Sequence, residues 1–191
     1  MKKYPPLGIL AMQGDIQEHQ KILWDLGIET IWVKKPEDLK KVEGLFLPGG
    51  ESSTMLRLLS FTGLDIAINE RCQKKDFPMF ATCAGTILLA RDVIPDQRSL
   101  SLLDIKIQRN AYGRQVESFE VPLQIDGLDE LFTGIFIRAP KIIELYGEIE
   151  ILSTYRESPV FIRQDKIWGL TFHPEISQDT RIHKKFLEYW D

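Results

Sequence analysis

The sequence predicts an α/β fold with a mainly parallel central sheet, helices on both faces, and antiparallel hairpins in the second half. Three observations predict it. Short apolar runs alternate with amphipathic helical stretches through the first half, the rhythm that joins parallel strands. The second half changes to strand-like runs separated by short turns, which suits hairpins. An amphipathic stretch from Thr180 to Trp190 predicts a closing helix.

The elements follow in order. "LGILAMQG" (7–14) reads as a buried strand, and Asp15 is placed to cap the next helix. In that helix Ile16, Ile22, Leu23 and Leu26 share a face, and Gly27 stops it. "IETIWVKK" (28–35) is a second strand, and Pro36 opens a short helix. "GLFLPGG" (44–50) is a third strand running into a glycine turn, with Ser52 or Ser53 as cap of "TMLRLLSFTG". "LDIAINERCQKK" continues the helical signal. "FPMFATC" (77–83) is a fourth strand, and "AGTILLAR" begins a helix directly after it. The polar stretch "RDVIPDQRS" (91–99) reads as a flexible loop. "LDIKIQRN", "RQVESFEVPLQI", "GIFIRAP", "IEILSTY", "SPVFIRQ" and "KIWGLTFHP" are the later strands. With no linker, repeat or low-complexity tract, residues 1–191 are expected to form one domain.

Composition narrows the function classes. The chain has 191 residues, enough for a full core, with 43% hydrophobic and 27% charged residues as in ordinary globular domains. A net charge of −4 without a basic stripe argues against a nucleic-acid surface. No apolar run reaches the ~18 residues of a membrane span, and the apolar stretch before Asp15 is too short for a signal peptide. A cytoplasmic protein is expected. The two cysteines, Cys72 and Cys83, give no disulfide framework, and neither is spaced for zinc; no metal site is expected.

Cys83 stands where a strand turns sharply into a helix, at the carboxyl end of a parallel strand where functional groups collect. Such an elbow exposes the side chain at its tip and needs small neighbours two residues away on either side, here Ala81 and Gly85. The helix amino end adds partial positive charge and free N–H groups. From the elbow alone, a buried apolar cysteine and a nucleophile suit the position equally. Cys72, within a helical pattern, reads as packing. A nucleophile needs a base, and the chain has three histidines. His19 and His183 lie in amphipathic patterns and read as surface or boundary residues. His173 ends a strand in "FHPE", where residues two apart point the same way, so the Glu175 carboxylate can steady its imidazole. Cys83, His173 and Glu175 are thus the expected triad. The glycines of "FLPGGESST" let backbone N–H groups approach a ligand, and with Ala84 they can form an oxyanion hole worth ~3 kcal/mol per donor. The turn lacks the GK[ST] of a phosphate loop.

In this order, "LPGGES", "TCAG" and "FHPE" resemble the class I, triad, glutamine amidotransferases. "MQGD", "GGESST", "MFATCAGTILLA", "RNAYGRQVESFE", "IFIRAP" and "FHPEISQDTRIHKKF" look more narrowly like the glutaminase subunits of pyridoxal phosphate synthases. The resemblance covers nearly the whole chain and implies a three-layer, flavodoxin-like fold. It implies hydrolysis of L-glutamine to glutamate and ammonia through a thioester on Cys83, with the ammonia passed to a separate synthase subunit. Pyridoxal phosphate would then be the product of the complex, and this chain would need no cofactor. The resemblance puts glutamine contacts at Gly50, Glu51, Ser52, Arg109, Ile137 and Arg138, the oxyanion hole at Gly50 and Ala84, and a partner contact at Gln13. It also implies an assembly of twelve glutaminases with twelve synthases. Ala81 replaces the family's usual glycine and makes the elbow slightly more crowded; "ESST" stands for "ESTT". Two other readings stay open on the residues: a triad glutaminase serving another synthase, such as that of the histidine pathway, and a non-catalytic redox or stress protein on the same fold. "RNAYGRQ" and "IRAP" speak against the first, and the intact His173-Pro174-Glu175 against the second.

Overall fold

A computed structural model describes residues 4–73, 77–112 and 118–190. The first half runs β1 (Leu7–Leu10), α1 (Ile16–Asp25), β2 (Thr30–Val33), α2 (Pro36–Leu39), β3 (Leu45–Leu47), α3 (Ser52–Thr62), α4 (Leu64–Cys72), β4 (Met79–Thr82) and α5 (Ala84–Leu89). Eight strands follow: β5 (Ala90–Ile94), β6 (Leu103–Gln108), β7 (Ser118–Leu123), β8 (Phe132–Ile137), β9 (Lys141–Leu145), β10 (Glu150–Tyr155), β11 (Ser158–Gln164) and β12 (Ile167–Leu170). Helix α6 (Arg181–Trp190) closes the chain.

The main sheet has seven strands in the order β10-β11-β12-β4-β3-β1-β2. From β12 to β2 all pairs are parallel, whereas β10, β11 and β12 pair antiparallel. The run β2-β1-β3-β4-β12 is the flavodoxin-like order, in which ligands bind beyond the carboxyl ends of the strands. Strands β1, β3 and β4 are buried along their whole length, as parallel strands covered on both faces must be. Their side chains alternate between two cores. Leu45, Leu47, Met79 and Ala81 pack with Met55, Leu59, Leu64 and Ile68 of α3 and α4. Phe46 and Phe80 pack on the other face with Leu23 of α1 and Ile182 and Phe186 of α6. Gly63, in the left-handed region at φ 75°, ends α3 and starts α4. Two small sheets, β5-β6-β9 and β7-β8, complete the second half.

Four local expectations change. The stretch 91–99 is not wholly loop: β5 runs to Ile94 and pairs parallel with β6. Its Arg91, Asp92 and Ile94 are exposed while Ala90 and Val93 are buried, so a half-covered strand carries a polar signature. Asp15 sits at the N-cap of α1 but makes no side-chain capping bond. The cap of α3 is Glu51, not Ser52 or Ser53; its carboxylate accepts from the Ser53 N–H at 3.4 Å and the Ser53 hydroxyl at 2.9 Å. His19 and His183 are fully buried rather than at the surface or boundary. Residues 114–117 of the "RQVESFEVPLQI" strand and Lys74 and Lys75 of the α4 reading lie outside the described residues.

Candidate active site

Strand β4 delivers Cys83 to the sheet rim. Cys83 adopts φ 47° and ψ −104°, a conformation that costs a non-glycine residue about 1–3 kcal/mol, and α5 begins at the next residue. The turn is held on both sides. The Cys83 N–H donates to the Leu170 carbonyl at 2.8 Å, and the Cys83 carbonyl accepts from the Ile87 N–H at 3.2 Å. The Thr86 hydroxyl reaches the Ala81 and Leu170 carbonyls at 3.0 and 2.7 Å. A Cβ at Gly85 would fall 2.1 Å from the Leu47 carbonyl oxygen, so α5 lies against β3 only because this residue is glycine. Ala81 is accommodated with no exposed surface.

Strand β12 delivers the histidine. Leu170 pairs with Thr82 in parallel register, so both chains leave the sheet side by side, and the His173 N–H is then tied to the Ile135 carbonyl at 2.8 Å. Nδ1 of His173 lies 2.7 Å from Oε1 of Glu175, both side chains being buried. Cys83 and the same imidazole face one cleft, where the thiol helps to hold a proton on the ring. A proton on Nδ1 held by Glu175 leaves Nε2 free for the thiol, the division of labour a base needs. Asp15 adds a second carboxylate, with Oδ2 at 3.2 Å from Nδ1. Burial opposes a charge on His173, but the bonds to Asp15, Cys83 and Glu175 outweigh it and raise its pKa from 6.5 to about 12. Burial pushes Glu175 upward, against the pull of His173. Gly49 makes room for the ring: a Cβ there would stand 2.3 Å from its Cε1. Asp15, His173 and Glu175 bring ligand-type atoms within 4.8 Å of one another, the one such cluster among the described residues, and its imidazole nitrogen already serves both carboxylates.

The sulfur and imidazole open on a cleft of about 240 Å³. Its walls include Gln13, Gly50, Glu51, Ser52, Arg109, Ile137 and Arg138. The Gln13 side-chain carbonyl accepts from the Glu51 N–H at 2.7 Å and so braces the glycine turn. Arg109 Nη2 donates to Glu51 Oε1 at 2.7 Å, closing one wall with an ion pair. The Ile137 carbonyl lies 3.9 Å from the Cys83 sulfur, and Arg138 follows with φ 43°. Ser52 turns its hydroxyl to Gln97 at 3.1 Å. The Ala84 side chain is buried at the head of α5, one residue past Cys83, and Glu175 stands behind His173.

The model of the SNO glutamine amidotransferase family matches residues 9–191. The chain belongs to this family. It is 48% identical to the Pyridoxal 5'-phosphate synthase subunit PdxT of Thermosipho africanus (strain TCF52B), over 95% of this chain and 96% of that one. Identity to the protein of the same name from Pyrococcus abyssi (strain GE5 / Orsay) is 45%, over 95% and 97% of the two chains. A crystal structure of a glutamine amidotransferase superposes with a TM-score of 0.92 at 42% identity, covering 96% of this chain and 98% of that one. The structure of PurLQS from Thermotoga maritima, at 14% identity and TM-score 0.75 with all of both chains covered, shares the fold. The three-layer α/β fold expected from the resemblance is therefore the fold of this glutamine amidotransferase.

Several members of its site escaped the sequence. Asp15 was legible only as a cap, although its place after a strand end in "MQGD" also points to the rim. Asn110 joins the cleft wall next to Arg109. Thr82 reads as a small flanking residue, yet its buried hydroxyl lies 3.4 Å from Glu175 Oε1.

Proposed function

We propose that the chain hydrolyses L-glutamine to L-glutamate and ammonia and delivers the ammonia to the synthase subunit of pyridoxal 5'-phosphate synthase, for vitamin B6 biosynthesis. The observation that carries this reading is the line Cys83–His173–Glu175 at the mouth of a cleft sized for an amino acid. His173, held protonated by its carboxylates, stands beside Cys83 as an imidazolium, and the Cys83 sulfur attacks the side-chain amide carbon as the thiolate. The tetrahedral oxyanion takes hydrogen bonds from the backbone N–H groups of Gly50 and Ala84. His173 then gives the proton to the departing ammonia, leaving a glutamyl thioester on Cys83. Water, deprotonated by the same imidazole, releases glutamate and the free thiol. Glu175 holds the tautomer and balances the imidazolium throughout.

Free glutamine carries an ammonium and a carboxylate, and the cleft holds one charge of each sign in the Glu51–Arg109 pair. Glu51 takes the ammonium, and Arg109 with Arg138 the carboxylate end. Gly50, Ser52 and Ile137 complete the substrate contacts, and Gln13 stands at the rim where the synthase docks. Each step is supplied by the chain's own side chains, its backbone N–H groups and water, and pyridoxal phosphate belongs to the complex as product. The assembly of twelve plus twelve subunits follows from the resemblance, and the cytoplasmic location from the composition and the short apolar runs. Among the described residues no helix is long and apolar enough to cross a membrane.

Glutamate release from glutamine, by the chain alone and mixed with its synthase subunit, tests this function. Strong release in the mixture and weak release alone is expected. No release from a mixture in which the complex has formed would overturn it.

A further inference from the structure

We infer that His19 and His183 are positioning residues for the triad, joined with Thr82 in a one-way chain of hydrogen bonds that ends on Glu175. The inference rests on the glutaminase reading above, but its geometry stands independently. His19 on α1 and His183 on α6 are fully buried. Nδ1 of His19 lies 3.1 Å from Nε2 of His183, a pair 164 residues apart in sequence. Nε2 of His19 lies 3.2 Å from the Thr82 hydroxyl and 3.7 Å from Oε2 of Glu175. The Thr82 hydroxyl in turn donates to Oε1 of Glu175 at 3.4 Å.

Two unpartnered atoms fix the direction. Nδ1 of His183 and Oε2 of Glu175 are buried with no hydrogen-bond partner among the described residues. If His19 carried its proton on Nδ1, His183 would need its own on the unpartnered Nδ1, a buried donor with nothing to meet. The bare Nε2 of His19 would then face the Glu175 carboxylate, lone pair against anion. The opposite choice removes both conflicts. His183 Nε2–H donates to His19 Nδ1, and His19 Nε2–H points between Thr82 and Glu175. What remains unpaired at His183 is a bare acceptor, which burial tolerates better than an orphan N–H. Every dipole in the chain then turns its positive end toward Glu175. A carboxylate buried this deeply needs such dipoles to stay charged, and its charge is what holds His173 as a base.

The groups facing this chain are consistent with neutral rings. Burial, with smaller contributions from His183 and His173, holds His19 well below the usual histidine range. Burial lowers His183 to about 3 despite the opposing charge of Asp179. Phe46 and Phe80 pack against both rings, so the histidines have largely apolar neighbours.

Nitrogen-15 NMR of the histidine rings in the whole chain tests the direction without reference to turnover. Near neutral pH, His19 and His183 are both expected neutral with the proton on Nε2; a proton on Nδ1 of His19 would overturn the inference. Kinetics of the complex with its synthase subunit test the consequence. His19→Phe is expected to lower kcat about tenfold, the scale of one lost hydrogen bond to a charged group, with KM for glutamine unchanged. The pH limb that reports His173 is expected to move down. His19→Gln, whose amide N–H reaches the same place, is expected to restore most of the loss, and His183→Phe to show a smaller loss in the same direction. A purely structural pair would lower the melting temperature but leave kcat and the pH limb in place, and that result would refute the proposal. Should His19→Phe not fold, His183→Phe and the ring spectra decide. Wild-type chain that fails to turn over glutamine would sink the glutaminase reading, while the spectra would still decide the hydrogen-bond chain.

Discussion

Three histidines are buried within one small region of this molecule, and their environments drive them in opposite directions. His173 stands between two carboxylates and a thiol, and its pKa rises to about 12. His19 and His183 stand among phenylalanines and face each other, and theirs fall, His183 to about 3. Burial is common to all three and works against the charge in each. What separates them is direct bonding to Asp15 and Glu175, which only His173 has at Nδ1. A charged acid–base ring and two neutral rings can thus sit side by side in one core, distinguished by where the carboxylates point.

The comparison can be broken most severely at the thiol. Cys83→Ala removes the nucleophile and is expected to cut glutamate release by about 10⁶-fold, measured in the complex; retained turnover would remove Cys83 from the mechanism. Glu175→Gln keeps the shape but offers an amide that can hold the wrong tautomer. A loss of about 10⁴-fold is expected, with the raised state of His173 falling back toward that of an ordinary histidine in ring NMR. Gly49→Ala places a methyl where the His173 ring now lies. A displacement on this scale is expected to cost about 10²-fold in kcat, with overall folding retained by circular dichroism. Asp15→Asn is milder, since Glu175 remains. It is expected to lower kcat by less than about tenfold and to shift the His173 limb to lower pH.

The smallest effect sharpens the contrast through stability. A raised histidine contributes stability that is complete below its unfolded value near 6.5 and is lost as pH rises through the folded value, so His173 favours the fold across neutral pH. A lowered histidine does the reverse. His19 and His183 contribute fully above 6.5, and that contribution is lost as pH falls from 6.5 toward the folded value, about 3 for His183. Denaturant titrations from pH 7 down to pH 4 are therefore expected to show wild type losing stability more steeply than His183→Phe. Equal slopes would mean that His183 is not buried in its neutral form.

The grouping of Cys83, His173 and Glu175 was legible because its signals are local. Cys83 is announced by a strand, small neighbours and a helix within a few residues, and Glu175 stands two residues from His173. The parallel half of the sheet was legible for the same reason, through the buried runs of β1, β3 and β4. What stayed hidden depends on distant partners. Periodicity places His19 and His183 on helices but cannot show that each ring's polar neighbour comes from the other end of the chain. Asp15 occupies a capping position, and only the approach of β12 turns its carboxylate to His173. Arg109 and Arg138 were singled out by resemblance alone, because nothing local distinguishes an arginine that lines a cleft from one in a surface ion pair. Strand β5 was missed because its solvent-facing residues made a half-buried strand look like a loop.

The most direct test of the central claim is intact-protein mass spectrometry after acid quench of the complex turning over glutamine. The account predicts an adduct of one glutamyl group, glutamine less ammonia, mapped to Cys83 and missing from Cys83→Ala. Glutamate accumulating at full rate with Cys83 never acylated, and persisting in Cys83→Ala, would contradict it.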